Sequence, residues 1–501
     1  MTSAMASAIM ALLTAGGGKP RRVCADSRKI QPGDVFLAYP GHASDGRKHI
    51  PDALARGASA VLWEREGFEW DPALVLPNLP VDQLRWMASD IADEVFGKPS
   101  EALWMVGVTG TNGKTSVSQW VARAFNSLER KCAVIGTLGS GFPGQLVQTG
   151  NTTPDAILLQ EDLARFRSEG AEAIAMEVSS IGLDQGRIAG CRMDIAVFTN
   201  LTRDHLDYHH SMDHYAAAKT RLFEMPGLKS AVLNFDDLMG VVLARRLCAA
   251  GSVQVMGYSL IPDNASAAPA HHMLLAEALR TTATGMRFTV SYEGQHAEMA
   301  VGLVGQFNVS NLLAVIGVLI QSGYSFEQAV EASRELTPPE GRMQTLGGIG
   351  EPLVVVDYAH TPDALEHALN ALQHTVKSRQ GKLWCLFGCG GDRDAGKRPL
   401  MGEVAARLAD LVVLTSDNPR SEDPAVILAQ VAAGAPSAQQ IPDRAEAIRT
   451  AILNAGANDI ILIAGKGHED YQEVQGQKHF FSDAGHASAG LTAWGRREQS
   501  T

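Results

Sequence analysis

The residues with the most specific chemistry in this chain are Gly110, Thr111, Asn112, Gly113, Lys114, Thr115 and Ser116. Apolar residues 103–108 precede them as a short buried strand, and a helix follows at once. In that helix Val117, Trp120, Val121, Ala124 and Phe125 recur at helical spacing, which predicts one inward face. A strand, a glycine turn and a helix start together make an anion site. Glycines let backbone N–H groups approach phosphate oxygens, and the helix dipole favours negative charge there. Lys114 would reach the outer phosphates, and the Thr115 hydroxyl would sit on Mg²⁺. The general phosphate-loop spacing asks for a glycine where this chain has Val108. A glycine turn that merely joins strand to helix is the competing reading, and GKTS at a helix start favours phosphate binding over it.

Other chemistry-bearing residues stand at strand ends. Residues 173–176 read as a buried strand that ends in Glu177. A carboxylate at the carboxyl end of a strand, in a sheet carrying a phosphate loop, is well placed for Mg²⁺. A lone strand-end glutamate is nevertheless a solvated surface group by default. The strand at 195–198 runs into TNLTRDHLDYH, residues 199–209. His205 and His209 are four apart, but no glutamate follows His205 as in a zinc-protease helix. Each of these residues alone reads as structural, whereas a cluster of this density behind a buried strand reads as a site. Lys219, in a small-residue helix, reads by itself as a solvated lysine. Asn308 and Asn311 share a helix face. Ser27 and the polar loop holding His42, Ala43 and Ser44 suit a sugar or nucleotide, but on residue types alone they read as turns.

The elements that must position these groups fill a chain too long for one core. Its 501 residues predict two to four domains. Residues 1–98 form a first unit and 99–338 a second that contains the phosphate loop. Pro338, Pro339, Gly341, Gly347 and Gly348 mark a hinge. Beyond it, 339–501 alternates strand and helix as a doubly wound α/β sheet. Its functional loops should follow the strands' carboxyl ends, at 357–362, 388–394, 417–420 and 465–469. Arg393 stands where the third glycine of a dinucleotide fingerprint would be, so NAD binding is not supported.

Composition narrows the class. A net charge of −12 argues against a nucleic-acid or anionic-membrane surface, while leaving room for local phosphate pockets. The six cysteines are scattered without a CxxC pair, which supports neither a disulfide framework nor a zinc site and fits a reduced cytoplasm. The apolar N-terminal run is short and no basic residue precedes it, so it reads as a helix and not as a signal peptide. No later segment approaches the roughly 18 apolar residues of a membrane span.

In order, GTNGKTS at 110–116, EVSS at 177–180, TNLTRDHLDYH at 199–209, FNVSN at 307–311, GR at 341–342 and DYAHTP at 357–362 resemble the Mur ligase family. The resemblance covers nearly the whole chain. It implies an α/β protein of three domains: a small N-terminal UDP-substrate domain, a central P-loop ATPase-type domain and a C-terminal Rossmann-like amino-acid domain. It also implies a cytoplasmic, monomeric, ATP-driven amide ligase of peptidoglycan precursor synthesis. ATP would phosphorylate the D-glutamyl γ-carboxylate of UDP-N-acetylmuramoyl-L-alanyl-D-glutamate, and the amine of a third amino acid would attack the acyl phosphate. A carboxylate is a poor electrophile until phosphate gives it a leaving group. Transfer between two anions needs cations, hence Lys114 and two Mg²⁺.

Matched residue by residue, the resemblance makes Lys114, Glu177, His205 and Lys219 catalytic. Thr115 and Glu177 would ligate one Mg²⁺ and His205 the second, with Lys219 carbamylated so that it too offers oxygen. Gly110 to Ser116, Asn308, Arg342 and Asp357 match ATP contacts. Ser27, His42, Ala43, Ser44, Asn151, Thr152, Thr153, Ser179, Gln185 and Arg187 match contacts to the UDP-sugar peptide. Asp417, Asn418, Pro419 and Arg420 form the loop that in the family goes with meso-diaminopimelate, and Arg393, Gly465 and Glu469 match further contacts to it. A guanidinium can hold the distal carboxylate bidentately while Asp417 or Glu469 holds the ammonium. Ile181 and Gln344 depart from the usual histidine and glutamate. L-lysine as third residue, or a folylpolyglutamate synthase-like ligation, is the alternative activity, and the latter enzymes lack the 417–420 loop.

Overall fold

Runs of buried β-branched and aliphatic residues become parallel strands here, because helices cover both faces of their sheets. The computed structural model describes residues 2–17, 20, 22–41 and 44–498, so His42 and Ala43 lie outside the described residues. The chain divides into two compact units: Met1–Ser259 with Asp263–Leu274 and Ala314–Ala332, and Leu260–Pro262 with Leu275–Leu313 and Ser333–Thr501.

In the first unit Trp104–Thr109 lies at the centre of a sheet. On one side stand Ile195–Phe198, Ser230–Asn234 and Gln254–Ser259, and on the other Ala173–Glu177 and Cys132–Gly136, all parallel. Gly139–Phe142 and Gln145–Val147 then add antiparallel edges. Val108 pairs with Glu177 and Thr109 with Phe198, so the phosphate loop, Glu177 and the 199–209 segment all leave the same edge of the sheet. The helix Lys114–Ser127 buries Val117, Trp120, Val121, Ala124 and Phe125 completely, the face its spacing predicts. Each such aliphatic or aromatic side chain contributes about 1.5–3 kcal/mol.

The N-terminal run folds as the expected helix, Thr2–Gly17. Behind it Val23–Cys24, Val35–Ala38, Ala60–Glu64 and Asn78–Val81 form a parallel sheet in chain order. Its core joins Ile9, Leu37, Leu62, Met87 and Ile91 to Ala156 and Ile157 of the next sheet's helix. Ser89 also accepts from Gly190 N at 2.9 Å and donates to the Arg187 carbonyl. These shared contacts are why the first two segments of the sequence form one compact unit.

The second unit contains the antiparallel hairpin Gly285–Tyr292 and Gln295–Val301 and a six-stranded sheet. Gln344–Gly347 runs antiparallel beside Leu353–Asp357. Ile460–Ala464, Leu383–Phe387, Leu411–Leu414 and Gln439–Gln440 follow in parallel. Helices Pro362–Arg379, Lys397–Leu408 and Pro424–Ala432 pack into one core with Leu365, Met401 and Leu428. Arg444–Asn454 and Asp483–Glu498 pack into another with Ile448, Ile452 and Trp494. The doubly wound expectation holds. Thr361 caps Pro362–Arg379 by accepting from Ala364 N, with Pro362 at the first turn where it loses no hydrogen bond. All six cysteines are free, and no described helix is long and apolar enough to cross a membrane.

Candidate active site

The phosphate loop closes on its own backbone and on the neighbouring strand ends. The Lys114 ammonium donates to the carbonyls of Gly110 at 2.9 Å and Thr111 at 2.7 Å. Asn112 N–H donates to Asn200 Oδ1, and the Thr199 hydroxyl donates to the Asn112 carbonyl at 2.6 Å. The Thr111 hydroxyl donates to the Thr202 carbonyl and lies 3.2 Å from the Tyr215 phenol. The loop is therefore fixed from outside as well as by its helix.

Glu177 and Lys219 are not the surface groups that their residue types alone suggest. Each is only 1% exposed. The Thr115 hydroxyl donates to Glu177 Oε2 at 3.0 Å, while Thr137 N–H and hydroxyl donate to the same carboxylate at 2.8 and 3.1 Å. Gly136 is required beside it, because a Cβ there would collide with Glu177 Oε1. Thr115 and Glu177 together are an all-oxygen donor pair, the chemistry a hard divalent cation takes. Lys219 Nζ donates to the Gly110 carbonyl at 2.7 Å and lies 4.4 Å from the Tyr215 ring centroid. Burial, and then the Lys114 ammonium, holds its amine well below the ordinary lysine value.

His205 is half-exposed in the left-handed region, φ 52, with its ring 3.5 Å from Asp204 and edge-on to Tyr215. Among the described residues it meets those partners and not Thr115 or Glu177. His209 is buried and paired with the Ser180 hydroxyl at 2.9 Å, a structural role.

Several residues matched to the UDP-sugar peptide form one network. The Thr153 hydroxyl donates to the Glu177 carbonyl and accepts from Ser179 N, and Arg187 Nη1 donates to the Thr153 carbonyl at 2.5 Å. Arg187 also holds Gln185 Oε1, and Gln185 reaches the Tyr208 phenol. Thr152 meets Thr137 at 3.0 Å. Asn151 and Ser44 are exposed, Ser44 lying 3.1 Å from His49 Nε2, and Ser27 is buried in a short helix capped by Asp26.

In the second unit the four expected loops do leave neighbouring strand ends, since Ala464 pairs with both Asp357 and Phe387, and Phe387 pairs with Leu414. Asp357 is part-buried and accepts from Met343 N and Ala359 N at 2.8 Å, and desolvation pushes its carboxyl up. Arg342 stacks 4.8 Å from the Tyr358 centroid. Gln344, one of the departures, accepts from Gly341 N at 3.0 Å and so fixes the turn before Arg342. Asn308 is buried and donates to the Val304 carbonyl at 2.8 Å.

Asp417 is buried, and burial pushes its carboxyl up against the opposing pull of Arg444 and Lys466. Gly465, at φ 115, passes so close that a Cβ would sit 2.6 Å from Asp417 Oδ2. Asn418 donates to Glu469 Oε2 at 2.8 Å, and Gln472 donates to the Asp417 carbonyl. Arg420, at φ 52, donates to the Gly391 carbonyl at 2.7 Å and lies 3.4 Å from Glu473. Arg393 is exposed. This combination of carboxylates beside guanidiniums can receive a zwitterionic group.

Comparison with known proteins places the chain in a family. The model for the Mur ligase middle domain matches residues 108–319, that for the Mur ligase glutamate ligase domain residues 341–467, and that for the Mur ligase family catalytic domain residues 21–95. A Chromobacterium violaceum protein named UDP-N-acetylmuramoyl-L-alanyl-D-glutamate–2,6-diaminopimelate ligase is 49% identical over 490 residues, 97% of either chain. The chain belongs to the Mur ligase family. An Ectopseudomonas mendocina protein of the same name is 50% identical over 477 residues, 95% of either chain. A solved structure of a protein of that name matches with a TM-score of 0.70 at 37% identity, over 95% of each chain. As a Mur ligase the chain is an ATP-dependent ligase of three-domain α/β architecture.

Three groups in this Mur ligase escaped the reading of residue types. Thr137 fixes Glu177, and its only signal is a small polar residue just past the buried strand Cys132–Gly136. Lys466 is fully buried, with Nζ 3.1 Å from Asn418 Oδ1 and 3.2 Å from Glu469 Oε2. It stands in a loop already marked as functional, but nothing in its neighbours announces burial. Arg444 and Asp483 form a fully buried bidentate pair, both bonds 2.7 Å, beneath the Ala464 carbonyl. They lie 39 residues apart, a separation at which sequence gives no pairing signal.

Proposed function

We propose that this Mur ligase joins meso-diaminopimelate to the D-glutamyl γ-carboxylate of UDP-N-acetylmuramoyl-L-alanyl-D-glutamate in the cytoplasm. The carrying observation is the cluster of Asp417, Asn418, Glu469 and buried Lys466 beside Arg420. Two carboxylates flank one lysine there, which leaves acceptor capacity for a substrate ammonium, and Arg420 offers a fork to a carboxylate. The names of relatives about half identical over nearly their full length support the same amino acid.

Segment 1–98 serves the UDP moiety, 99–338 ATP and 339–501 the amino acid, and each family match falls inside one of these segments. Gly110 to Ser116 hold the phosphates, with Lys114 opposing their charge, while Asn308, Arg342 and Asp357 contact the rest of ATP. The Thr153, Ser179, Gln185 and Arg187 network, with Ser27, Ser44, Asn151 and Thr152, receives the UDP-sugar peptide. Thr115 and Glu177 hold one Mg²⁺, and His205 with carbamylated Lys219 holds a second. The ions offset repulsion between the phosphoryl group and the carboxylate it reaches. Burial and the Lys114 ammonium depress the Lys219 amine and so favour its neutral form, the form that takes up CO₂, losing a proton to leave an anionic carbamate. Glu177 stays fixed by Thr137 throughout.

ATP-dependent phosphate release should appear with the UDP-dipeptide and meso-diaminopimelate. It should fall by roughly 10⁴-fold in kcat/KM with L-lysine, which leaves the carboxylate-binding guanidinium unpaired. Comparable rates with the two amino acids would overturn the amino-acid assignment, and turnover of a pteroylglutamate in place of the UDP-dipeptide would overturn the acceptor.

A further inference from the structure

The loops carrying Arg393 and Arg420 are irregular, yet their relative position is fixed by side chains far from either guanidinium. At their base lies Arg398, on the first turn of Lys397–Leu408 and only 1% exposed. Its two terminal nitrogens grip the Glu422 carboxylate, both at 2.8 Å. The same fork donates to the Gly390 carbonyl at 3.1 Å and to Gln430 Oε1 at 2.6 Å. Glu422 in turn accepts from Asp392 N at 2.6 Å. Asp392 closes the circuit, because Ser421 N–H and hydroxyl donate to its two oxygens at 3.1 and 2.6 Å. Gly391 N–H to the Asn418 carbonyl, and Arg420 to the Gly391 carbonyl, complete the join.

This circuit has more geometric content than stability requires. A buried guanidinium–carboxylate pair often contributes no more than apolar residues of the same volume would, but its planar fork fixes direction. Here the fork fixes 390–392 against 418–422. The Arg398 guanidinium accordingly holds the Glu422 carboxyl down to about 2, so the clamp stays ionised through the whole working range.

We propose that Arg398 is a positioning residue for amino-acid selection: with Glu422 it clamps the loop of Arg393 to the loop of Arg420, so that the two guanidiniums meet the distal carboxylate as one preformed receptor. The inference rests on the reading that Arg420 takes that carboxylate. A receptor whose two halves slip by about 1 Å loses on the order of 10²-fold in rate or affinity.

The test is steady-state kinetics of the full-length enzyme with each substrate varied, on Glu422→Ala, Asp392→Ala and Arg398→Lys. Glu422→Ala should raise KM for meso-diaminopimelate roughly 10- to 100-fold, with kcat and the KM values for ATP and the UDP-dipeptide within about threefold. Arg398→Lys keeps the charge but not the fork and should behave alike. Asp392→Ala, at an exposed position, should raise the same KM roughly threefold, and it keeps the idea testable if the Arg398 or Glu422 variants do not fold. In an Arg420→Ala background, Glu422→Ala should add less than about threefold, because the two act through one contact. Folded Glu422→Ala and Asp392→Ala enzymes with wild-type KM for meso-diaminopimelate would overturn the clamp, as would equal losses for all three substrates. If Arg420→Ala itself leaves that KM unchanged, the reading of Arg420 fails instead. If Arg420→Ala raises it and Glu422→Ala does not, only the clamp fails.

Discussion

The phosphate-loop region and the 417–422 region are built on different principles. In the first, functional side chains rest on nearby backbone and short side chains: Lys114 and Lys219 both donate to the Gly110 carbonyl, and Glu177 is held by Thr115 on the first helical turn and by Thr137 just past a neighbouring strand. In the second, side chains hold side chains across loops distant in sequence: Asn418 with Glu469, Lys466 with Asn418, Arg398 with Glu422. Arg393 is the extreme case, exposed and without a hydrogen bond or ion pair among the described residues. Each region also keeps non-glycine residues at positive φ, His205 and His210 in the first and Asp392 and Arg420 in the second. Such a conformation costs about 1 kcal/mol or more and persists only where surroundings enforce it. The first region is preformed on a sheet edge and suits a ligand group common to many enzymes. The second is a set of paired charges on loops tied to one another, and its outermost member, Arg393, faces solvent.

The sharpest break should come at Lys219. Lys219→Ala removes a buried amine beside the loop, and activity should fall by on the order of 10²-fold or more, as when a charged group is lost from phosphoryl transfer. Acetate or formate should restore part of it by supplying carboxylate oxygens, which a merely structural lysine would not allow. Full activity of the unrescued variant would remove the carbamate from the mechanism.

In the second region Lys466→Met should weaken stability as well as binding. It removes the buried ammonium between Asp417 and Glu469, leaving them only the more distant Arg444, and breaking such a cluster costs about 3–5 kcal/mol. Burial already pushes the Asp417 carboxyl up, so the folded form holds a proton at pH values where the unfolded one has lost it. That contribution to stability is fully present below the unfolded aspartate value, about 3.9, and is lost as pH rises through the raised folded value. The variant's deficit, read by urea unfolding, should therefore shrink as pH falls. A pH-independent deficit would mean that Lys466 acts through packing alone.

Thr137→Val tests how far Glu177 depends on its backing. The variant keeps shape and the backbone bond but removes the hydroxyl donor at 3.1 Å. Losing one hydrogen bond to a charged group costs about 1.5–3 kcal/mol, so kcat should drop roughly 10-fold or more with KM for meso-diaminopimelate unchanged. An altered amino-acid KM would show that the two regions are not separable in this way.

The same contrast explains what was legible in the sequence. Strand 104–109, its glycine loop and the inward face of 114–127 are local patterns, and all were readable. Residue types could not place Glu177 and Lys219, because burial depends on which strands adjoin: Val108 pairs with Glu177, a partner 69 residues away. Only the motif resemblance selected them. The doubly wound sheet was readable from alternation, whereas helix Pro424–Ala432 and the hairpin Tyr471–Val474 with Gln477–Phe480 were not. The hairpin's first strand is part-exposed and its second exposed throughout, so they lack a buried face to give them a period. Thr137, Lys466 and the Arg398–Glu422 clamp were illegible because a side-chain pair across loops leaves no spacing signal at all.

Arg393→Ala should have the smallest effect on the fold and the most informative one on binding. The side chain is exposed and holds nothing among the described residues, so removing it should shift the stability of the protein by less than about 0.5 kcal/mol. Its position is nonetheless fixed, because the loop beneath it is tied through Asp392 to Ser421 and Glu422. If the guanidinium reads the distal carboxylate, its loss should raise KM for meso-diaminopimelate several-fold, as for a solvent-exposed charge pair worth about 1 kcal/mol. The effect should weaken further in high salt, since exposed pairs are screened. L-lysine, which lacks the carboxylate, should be insensitive to the change. An equal loss with both amino acids would mean that Arg393 supports the loop and does not read the ligand, and the outer half of the receptor would then have to be assigned to Arg420 alone.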